Sequence, residues 1–232
     1  MTPRRASRAT WATRASRRTR SIRRTRGRAI QRVTPHTRPK RLRRSRSSKP
    51  LSVAITGGIG AGKSEALAAF ARHGAATISS DEVVHELYDD PGVQAALAER
   101  FGTSDRRAVS EQAVGDRDAL IWLEQLLHPR VLERTEAWRD ELSRLPNPPD
   151  LAVNEVPLLY EAGAEGRFDA VVVITAPREL RAGRAGDRLD EREQRLLPDE
   201  EKVNRADFAY VNDGSLEELD AFVADVVRRL NT

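Results

Sequence analysis

The sequence predicts an α/β fold, a three-layer sandwich in which helices cover both faces of a parallel sheet of about five strands. Three observations predict it. Short apolar runs alternate with amphipathic stretches, a glycine-rich loop separates the first run from the first helix, and residues 1–49 share neither pattern. Strands separated by helical segments pair in parallel through right-handed crossovers.

The leader, 1–49, stands apart in charge. It holds 19 of the chain's 40 basic residues and no acidic one. That leaves 21 basic against 35 acidic residues, a net of −14, in residues 50–232, so the overall +5 averages two opposite segments. After the first residue, Trp11, Ile22, Ile30, Val33 and Leu42 are its only large apolar groups. They are too few to offset the entropy of ordering, and disorder is expected. Three origins fit such a composition: an arm that binds nucleic acid non-specifically through its cations, an organelle transit peptide, and upstream codons of a GC-rich gene read from an early start. The fold is sought in residues 50–232, enough for one domain with a substantial core. Cysteine is absent, which excludes disulfide frameworks, thiolate nucleophiles and cysteine-ligated metals and suits a reducing, cytoplasmic compartment. No apolar run, Ala170–Ile174 included, approaches the roughly 20 residues that span a bilayer, and no membrane partner is expected.

Along the body, Leu51–Thr56 (LSVAIT) is a buried-strand run that ends in glycines. Lys63–Arg72 sets Ala66, Leu67, Ala69 and Phe70 at helical spacing. Ala75–Ser79 is a second strand, with a helix after it over Glu82–Tyr88. Asp116–Leu145 reads as a long helical region interrupted at Pro129, because proline removes a backbone donor and bends the chain before it. Leu151–Val156, Ala170–Thr175 and Phe208–Asn212 supply three more strands, and Leu216–Leu230 closes the chain as an amphipathic helix. Trp122 and Trp138, at helical spacing inside apolar runs, read as core.

The segment Gly57-Gly58-Ile59-Gly60-Ala61-Gly62-Lys63-Ser64 satisfies G-x-x-x-x-G-K-[ST], between a strand and a helix as the motif requires. Glycines let backbone N–H groups turn inward around phosphate oxygens, and the helix N-terminus adds positive partial charge. Lys63 reaches the β- and γ-phosphates, and the Ser64 hydroxyl ligates Mg²⁺. This predicts a P-loop nucleoside triphosphate site for ATP and Mg²⁺. No N-K-x-D string for reading guanine is present and the body is too small for motor accessories, so a metabolite kinase fits best.

The body resembles the dephospho-CoA kinases, which complete coenzyme A synthesis. The resemblance is carried in one order by AITGGIGAGKSE, ISSDEVVHELYDDPG, LEQLLHPRVLE, EVPLLYEAG, RAGDR and KVNRADFAYVNDG. Two positions depart from the family pattern. Ser79-Ser80-Asp81 stands where D-x-D is common, and Glu65 where a threonine usually comes after the P-loop serine, its backbone N–H still available to phosphate. The resemblance implies ATP on Gly58, Gly60, Ala61, Gly62, Lys63, Ser64 and Glu65, a helical substrate-binding insertion, and a mobile lid. It implies transfer of the γ-phosphoryl group to the ribose 3′-hydroxyl of dephospho-CoA.

Other candidate residues carry competing readings. Asp81, after the second strand, lies at the carboxyl edge where such sheets bind ligands. It can accept the acceptor's proton or hold Mg²⁺ through water, or simply cap the next helix. Glu155, at the end of the third strand, can order metal-bound water or be a loop charge. His128 and Pro129 are either structural or part of the coenzyme A-side pocket that the resemblance implies, with Pro157 and Leu158 turning into the site. Arg184 and Arg188, four apart, can neutralise charge on the transferring phosphoryl group or form a solvated arm with Asp187, Asp190 and Glu191. Asn212-Asp213-Gly214 fits an adenine edge or an ordinary turn. The rival functions are another nucleoside or sugar kinase, or a nucleic-acid-associated nucleotide switch that uses the leader. Oligomeric state is left open.

Overall fold

In the computed structural model the described residues are 49–185 and 196–232. The chain falls into two units, Met1–Ile30 and Gln31–Thr232, and the first lies wholly outside the described residues. Residues 31–48 lie outside them too, so the disorder expected of the leader falls outside the described residues, Lys49 excepted.

The elements of the second unit are β1 (Leu51–Gly57), α1 (Lys63–Arg72), β2 (Ala76–Ser79), α2 (Ser80–Leu87), α3 (Pro91–Phe101), α4 (Arg106–Gly115), α5 (Arg117–Ser143), β3 (Leu151–Glu155), β4 (Ala170–Thr175), α6 (Arg178–Ala185), α7 (Asp199–Arg205), β5 (Phe208–Val211) and α8 (Leu216–Leu230). The strands form one parallel sheet in the order β2-β3-β1-β4-β5. β1 is central, with β3 on one side and β4 on the other. Its carboxyl end is therefore where crossovers leave in opposite directions, the place where open α/β sheets bind ligands.

Alternation along the strands divides the core between the two faces. Val53 and Ile55 face α1 and α8, where Phe70, Leu219, Phe222, Val223 and Val226 are buried with them. Ala54, Val171 and Val173 face the other way, onto Leu159, Tyr160 and Ala206. Fully burying a side chain such as Ile55 or Phe70 contributes roughly 1.5–3 kcal/mol. The last helix starts on a capping box, with Ser215 and Glu218 exchanging side-chain-to-backbone bonds.

Two helices, α3 and α4, are not apparent in the sequence. They begin at Asp90 and Asp105, whose carboxylates cap the first turns, with Pro91 at the start of α3. Their apolar positions are sparse because each helix buries only a narrow stripe, Val93 and Leu97 in one and Val109 and Ala113 in the other. With Tyr88, Leu123 and Leu127 these form a second, helical core. Trp122 packs edge-on to Phe101 with ring centroids 5.6 Å apart, a core role as expected.

The expected break at Pro129 does not occur: α5 is a single 27-residue helix with the proline inside it. One missing donor is a local loss, and the turns on either side are anchored by buried Leu123, Leu127 and Thr135. Arg130 also swings its guanidinium back to donate to the Leu126 carbonyl at 2.6 Å, beside the crowded turn.

Candidate active site

The phosphate loop spans the end of β1 and the start of α1. Gly57 has φ 143°, and a Cβ there would lie 1.8 Å from the carbonyl oxygen of Ile174. Gly62, at φ 96°, would drive a Cβ to 2.3 Å from Nδ2 of Asn212. These two positions admit only glycine, because both the left-handed backbone and the close neighbour exclude a side chain. The motif is thus imposed by packing as well as by phosphate geometry.

Asn212 receives a different role from either sequence reading. It is buried at the end of β5, and its Nδ2 donates to the Ala61 carbonyl at 2.8 Å. The residue is a strut that holds the loop's shape across 151 positions of sequence.

The chemistry-bearing groups converge at the carboxyl edge of the sheet. Lys63 Nζ donates to the Gly58 carbonyl at 3.0 Å, so the ammonium rests folded over its own loop. Ser64 Oγ donates to Glu155 Oε2 at 3.4 Å. Glu155 ends β3 and is opposite Ser79 in the parallel register, which brings β2's exit, and Asp81 two residues on, beside it. Ser80 fixes that exit by donating its hydroxyl to Asn154 Oδ1 at 3.2 Å. α2 begins at Ser80 with Ser79 in the cap position, so Asp81 lies exposed in the first helical turn. The capping alternative for Asp81 is therefore corrected: it lies two residues past the cap position, in the first turn, and its charge acts on Lys63 and Glu155 as well as on the helix end.

Electrostatics tie these groups together. Burial pushes the Lys63 ammonium below its ordinary value, while the carboxylates of Glu155 and then Asp81 pull it back up. Burial likewise pushes Glu155 above the usual carboxylate range, Lys63 opposing and Asp81 adding to the rise. A buried carboxylate beside a hydroxyl, facing a lysine and a second carboxylate, suits a divalent cation that also takes phosphate oxygens and water.

A carboxyl raised in the folded state costs stability above its folded pKa, and that cost is relieved as pH falls and the group protonates. Glu155→Gln, which mimics the protonated form, is therefore expected to raise Tm at about pH 8 and to lose that advantage at a second, acidic pH below the ordinary glutamate value of about 4.3. Metal-dependent turnover should fall in the same variant. Paired melting curves at the two pH values check the first part, and a Tm that is lower at both would reject it.

Two arginines of α6 lie over the loop. Arg184 Nη1 donates to the Gly60 carbonyl at 3.2 Å, as a phosphate-side role requires. Arg188, its expected companion, lies outside the described residues. Arg181, not singled out from the sequence, is closer in: a Cβ on Gly58 would be 2.8 Å from its Nη1. Its Nε donates to the Ala176 carbonyl at 2.9 Å, and its guanidinium faces Asp199 of α7 at 3.6 Å. The helical spacing of Arg181 and Arg184 was the signal that could have found it.

The acceptor-side candidates are less tightly placed. The Pro157 carbonyl accepts from Thr56 Oγ1 at 3.3 Å, which holds the loop after β3 against β1, and Leu158 is exposed beside it. His128 and Pro129 are exposed on α5, the helix packed against α2. Among the described residues no hydrogen bond joins His128 to the phosphate loop. A cavity of about 470 Å³ lies at the opposite, amino edge of the sheet, lined by Leu51, Ser52, Glu136, Arg139 and Asp169 among others. It lies at the start of β1, whereas the phosphate loop lies at that strand's carboxyl end. Among the described residues no helix is long and apolar enough to cross a membrane.

With a nucleotide loop, a metal-suited carboxylate and a second carboxylate at one sheet edge, comparison with known proteins decides the lineage. The family model for dephospho-CoA kinase matches residues 51–218. The chain belongs to the dephospho-CoA kinase family. It is a kinase, a nucleotide-binding transferase on the α/β P-loop fold. A dephospho-CoA kinase of Frankia casuarinae is 38% identical over 191 residues, covering 75% of this chain and 81% of the relative. A solved structure from Thermus thermophilus is 32% identical with a TM-score of 0.66, covering 78% of this chain and 98% of its own. The solved dephospho-CoA kinase from Campylobacter jejuni, at 22% identity and a TM-score of 0.59, shares the fold over 77% of this chain and 96% of its own. Membership in this family favours neither the nucleotide switch nor another metabolite kinase.

Proposed function

We propose that this chain transfers the γ-phosphoryl group of Mg²⁺·ATP to the ribose 3′-hydroxyl of dephospho-CoA, giving CoA and ADP in the cytoplasm. The observation that carries the reading is the convergence of Lys63, Ser64, Glu155 and Asp81 at the carboxyl end of the central strands. Gly58, Gly60, Ala61, Gly62 and the backbone of Glu65 would cradle the phosphates, and Lys63 would leave its contact with Gly58 for the β- and γ-oxygens. Ser64 and Glu155 would hold the metal ion, which when bound neutralises charge between those phosphates. Arg184, with Arg188, would balance the charge that spreads over the transferring group in a loose transition state. Asp81 would accept or orient the proton of the attacking hydroxyl. Pro157, Leu158, His128 and Pro129 would border the acceptor. No covalent enzyme intermediate is required.

The direct test is ADP release by the purified chain against a panel of acceptors that includes dephospho-CoA. Release that depends on some other acceptor and not on dephospho-CoA would reject the reading.

The leader is treated as dispensable to this chemistry, because β1 begins at Leu51 and leads straight into the loop. Deleting residues 1–48 is expected to leave acceptor-dependent turnover within about twofold, since every residue assigned a role in the chemistry lies at Gly58 or beyond. Loss of turnover in a soluble, folded truncation would give the leader a part in the site. Any polynucleotide affinity of the full chain should disappear with it and should weaken as salt rises.

A further inference from the structure

Lys202 is the one lysine among the described residues with no solvent exposure, and the phosphoryl-transfer chemistry makes no use of it. It projects from α7, and its Nζ lies 2.9 Å from Glu161 Oε1. The same carboxylate oxygen accepts the Leu197 N–H at 2.9 Å. Glu161 is four residues beyond Pro157, in the segment after β3. One carboxylate thus takes a backbone N–H and an ammonium ion pair from the 197–202 stretch and ties them to the loop that bears Pro157 and Leu158.

Further contacts join the same two segments. The Arg205 guanidinium lies 4.5 Å over the ring of Tyr160 and pairs with Glu165. At its other end α7 presents Asp199 to Arg181, whose guanidinium rests against Gly58 of the phosphate loop. Lys202 and Asp199 both act on the charge of Lys63. α7 is therefore a short bridge between the phosphate loop and the loop after β3.

Stability alone is a poor account of such a pair. Two charges taken wholly out of water recover their hydration only when every donor and acceptor is satisfied. Here Glu161 Oε2 and Lys202 Nζ are both buried without a hydrogen bond of good geometry, the two side chains meeting as an ion pair only. Buried ion pairs are best attested where they fix register rather than add stability.

We infer that the buried Lys202–Glu161 pair is a positioning device for the phosphoryl acceptor. It holds the loop of Pro157 and Leu158 at a fixed height beside the phosphate loop, and neither residue touches a substrate. The inference rests on the reading that this loop borders dephospho-CoA.

The test uses the full-length chain with Lys202→Met and with the double variant Glu161→Gln, Lys202→Met. The single variant strands a buried carboxylate and should lower Tm by about 10 °C. The double variant replaces the pair by neutral groups of similar volume, and most of that loss should return. The deciding measurement is the pair of KM values in the double variant. Its KM for dephospho-CoA should stay raised about fivefold or more while its KM for ATP stays within about twofold of the unmodified chain, because a loosely held loop misplaces one substrate only. A dephospho-CoA KM that returns to the unmodified value together with Tm would make the pair merely structural and overturn the inference. A parallel rise in the ATP KM would overturn it too, placing the pair on the phosphate side. If the double variant melts below the assay temperature, the same pair of KM values is read at a lower temperature at which it is folded, with the same two outcomes. Absence of dephospho-CoA-dependent turnover in the unmodified chain would remove the acceptor assignment itself, a failure visible before any variant is made.

Discussion

Replacing Lys63 by alanine is expected to lower kcat by about 100-fold or more, the usual scale for removing one preorganised charge-stabilising group. The ammonium lies half-buried over Gly58, where the loop backbone already encloses it, so little reorganisation separates its resting place from the phosphate oxygens. Its positive charge also offsets Glu155 and Asp81, two carboxylates that would otherwise repel a polyanionic substrate. Without Lys63 the opposing pull on Glu155 is gone and its carboxyl rises further, which weakens the metal position at the same time. The loss should therefore exceed what one missing phosphate contact predicts. The fold should survive, because β1, Gly57 and Asn212 define the loop without the lysine. Turnover and a melting curve on one preparation check both halves. Near-normal turnover in folded Lys63→Ala would mean that the loop binds nucleotide without working on it.

The sheet and the phosphate loop were legible because their causes are local. Leu51–Gly57 is buried nearly throughout and so is mostly apolar, and Gly57 and Gly62 both take positive φ, which glycine adopts most readily. Lys63 and Ser64 come from the same string. Glu155 and Asp81 were found because one ends a recognisable strand and the other comes two residues after one, and parallel pairing brings strand ends to one edge. What stayed hidden depends on distant partners. Asn212 reads as a turn until β5 is set beside the loop it props. Arg181 and Asp199 are ordinary surface charges until α6 and α7 fold over Gly58. Lys202 looks like one more basic residue in a charged helix, and only tertiary packing buries it. The error at Pro129 has a related origin. A proline rule applies to an isolated helix, whereas α5 is held from both sides by the helical core and by α2.

Asp81→Asn separates chemistry from structure at the acceptor side. Asp81 is exposed in the first turn of α2 and caps nothing, so asparagine forfeits only a favourable interaction with the helix dipole, about 0.3–1 kcal/mol. For a domain of this size that is a Tm change of roughly 1–4 °C. Turnover should respond very differently. An amide cannot accept the hydroxyl proton, and loss of a positioned general base typically costs about 10²–10⁴-fold in kcat. ATP affinity should change little, because the grip on phosphate comes from the loop and from Lys63. A modest shift in the pH profile should accompany the loss, since removing the Asp81 charge relieves part of the upward push on Glu155. Unchanged kcat with unchanged Tm would reduce Asp81 to a helix-end charge and leave Glu155, the other carboxylate at this edge, as the base. A fall in kcat with Tm held within a few degrees would give Asp81 a part in the chemistry, as proton acceptor or through metal-bound water, because no structural role at an exposed first-turn position could produce it.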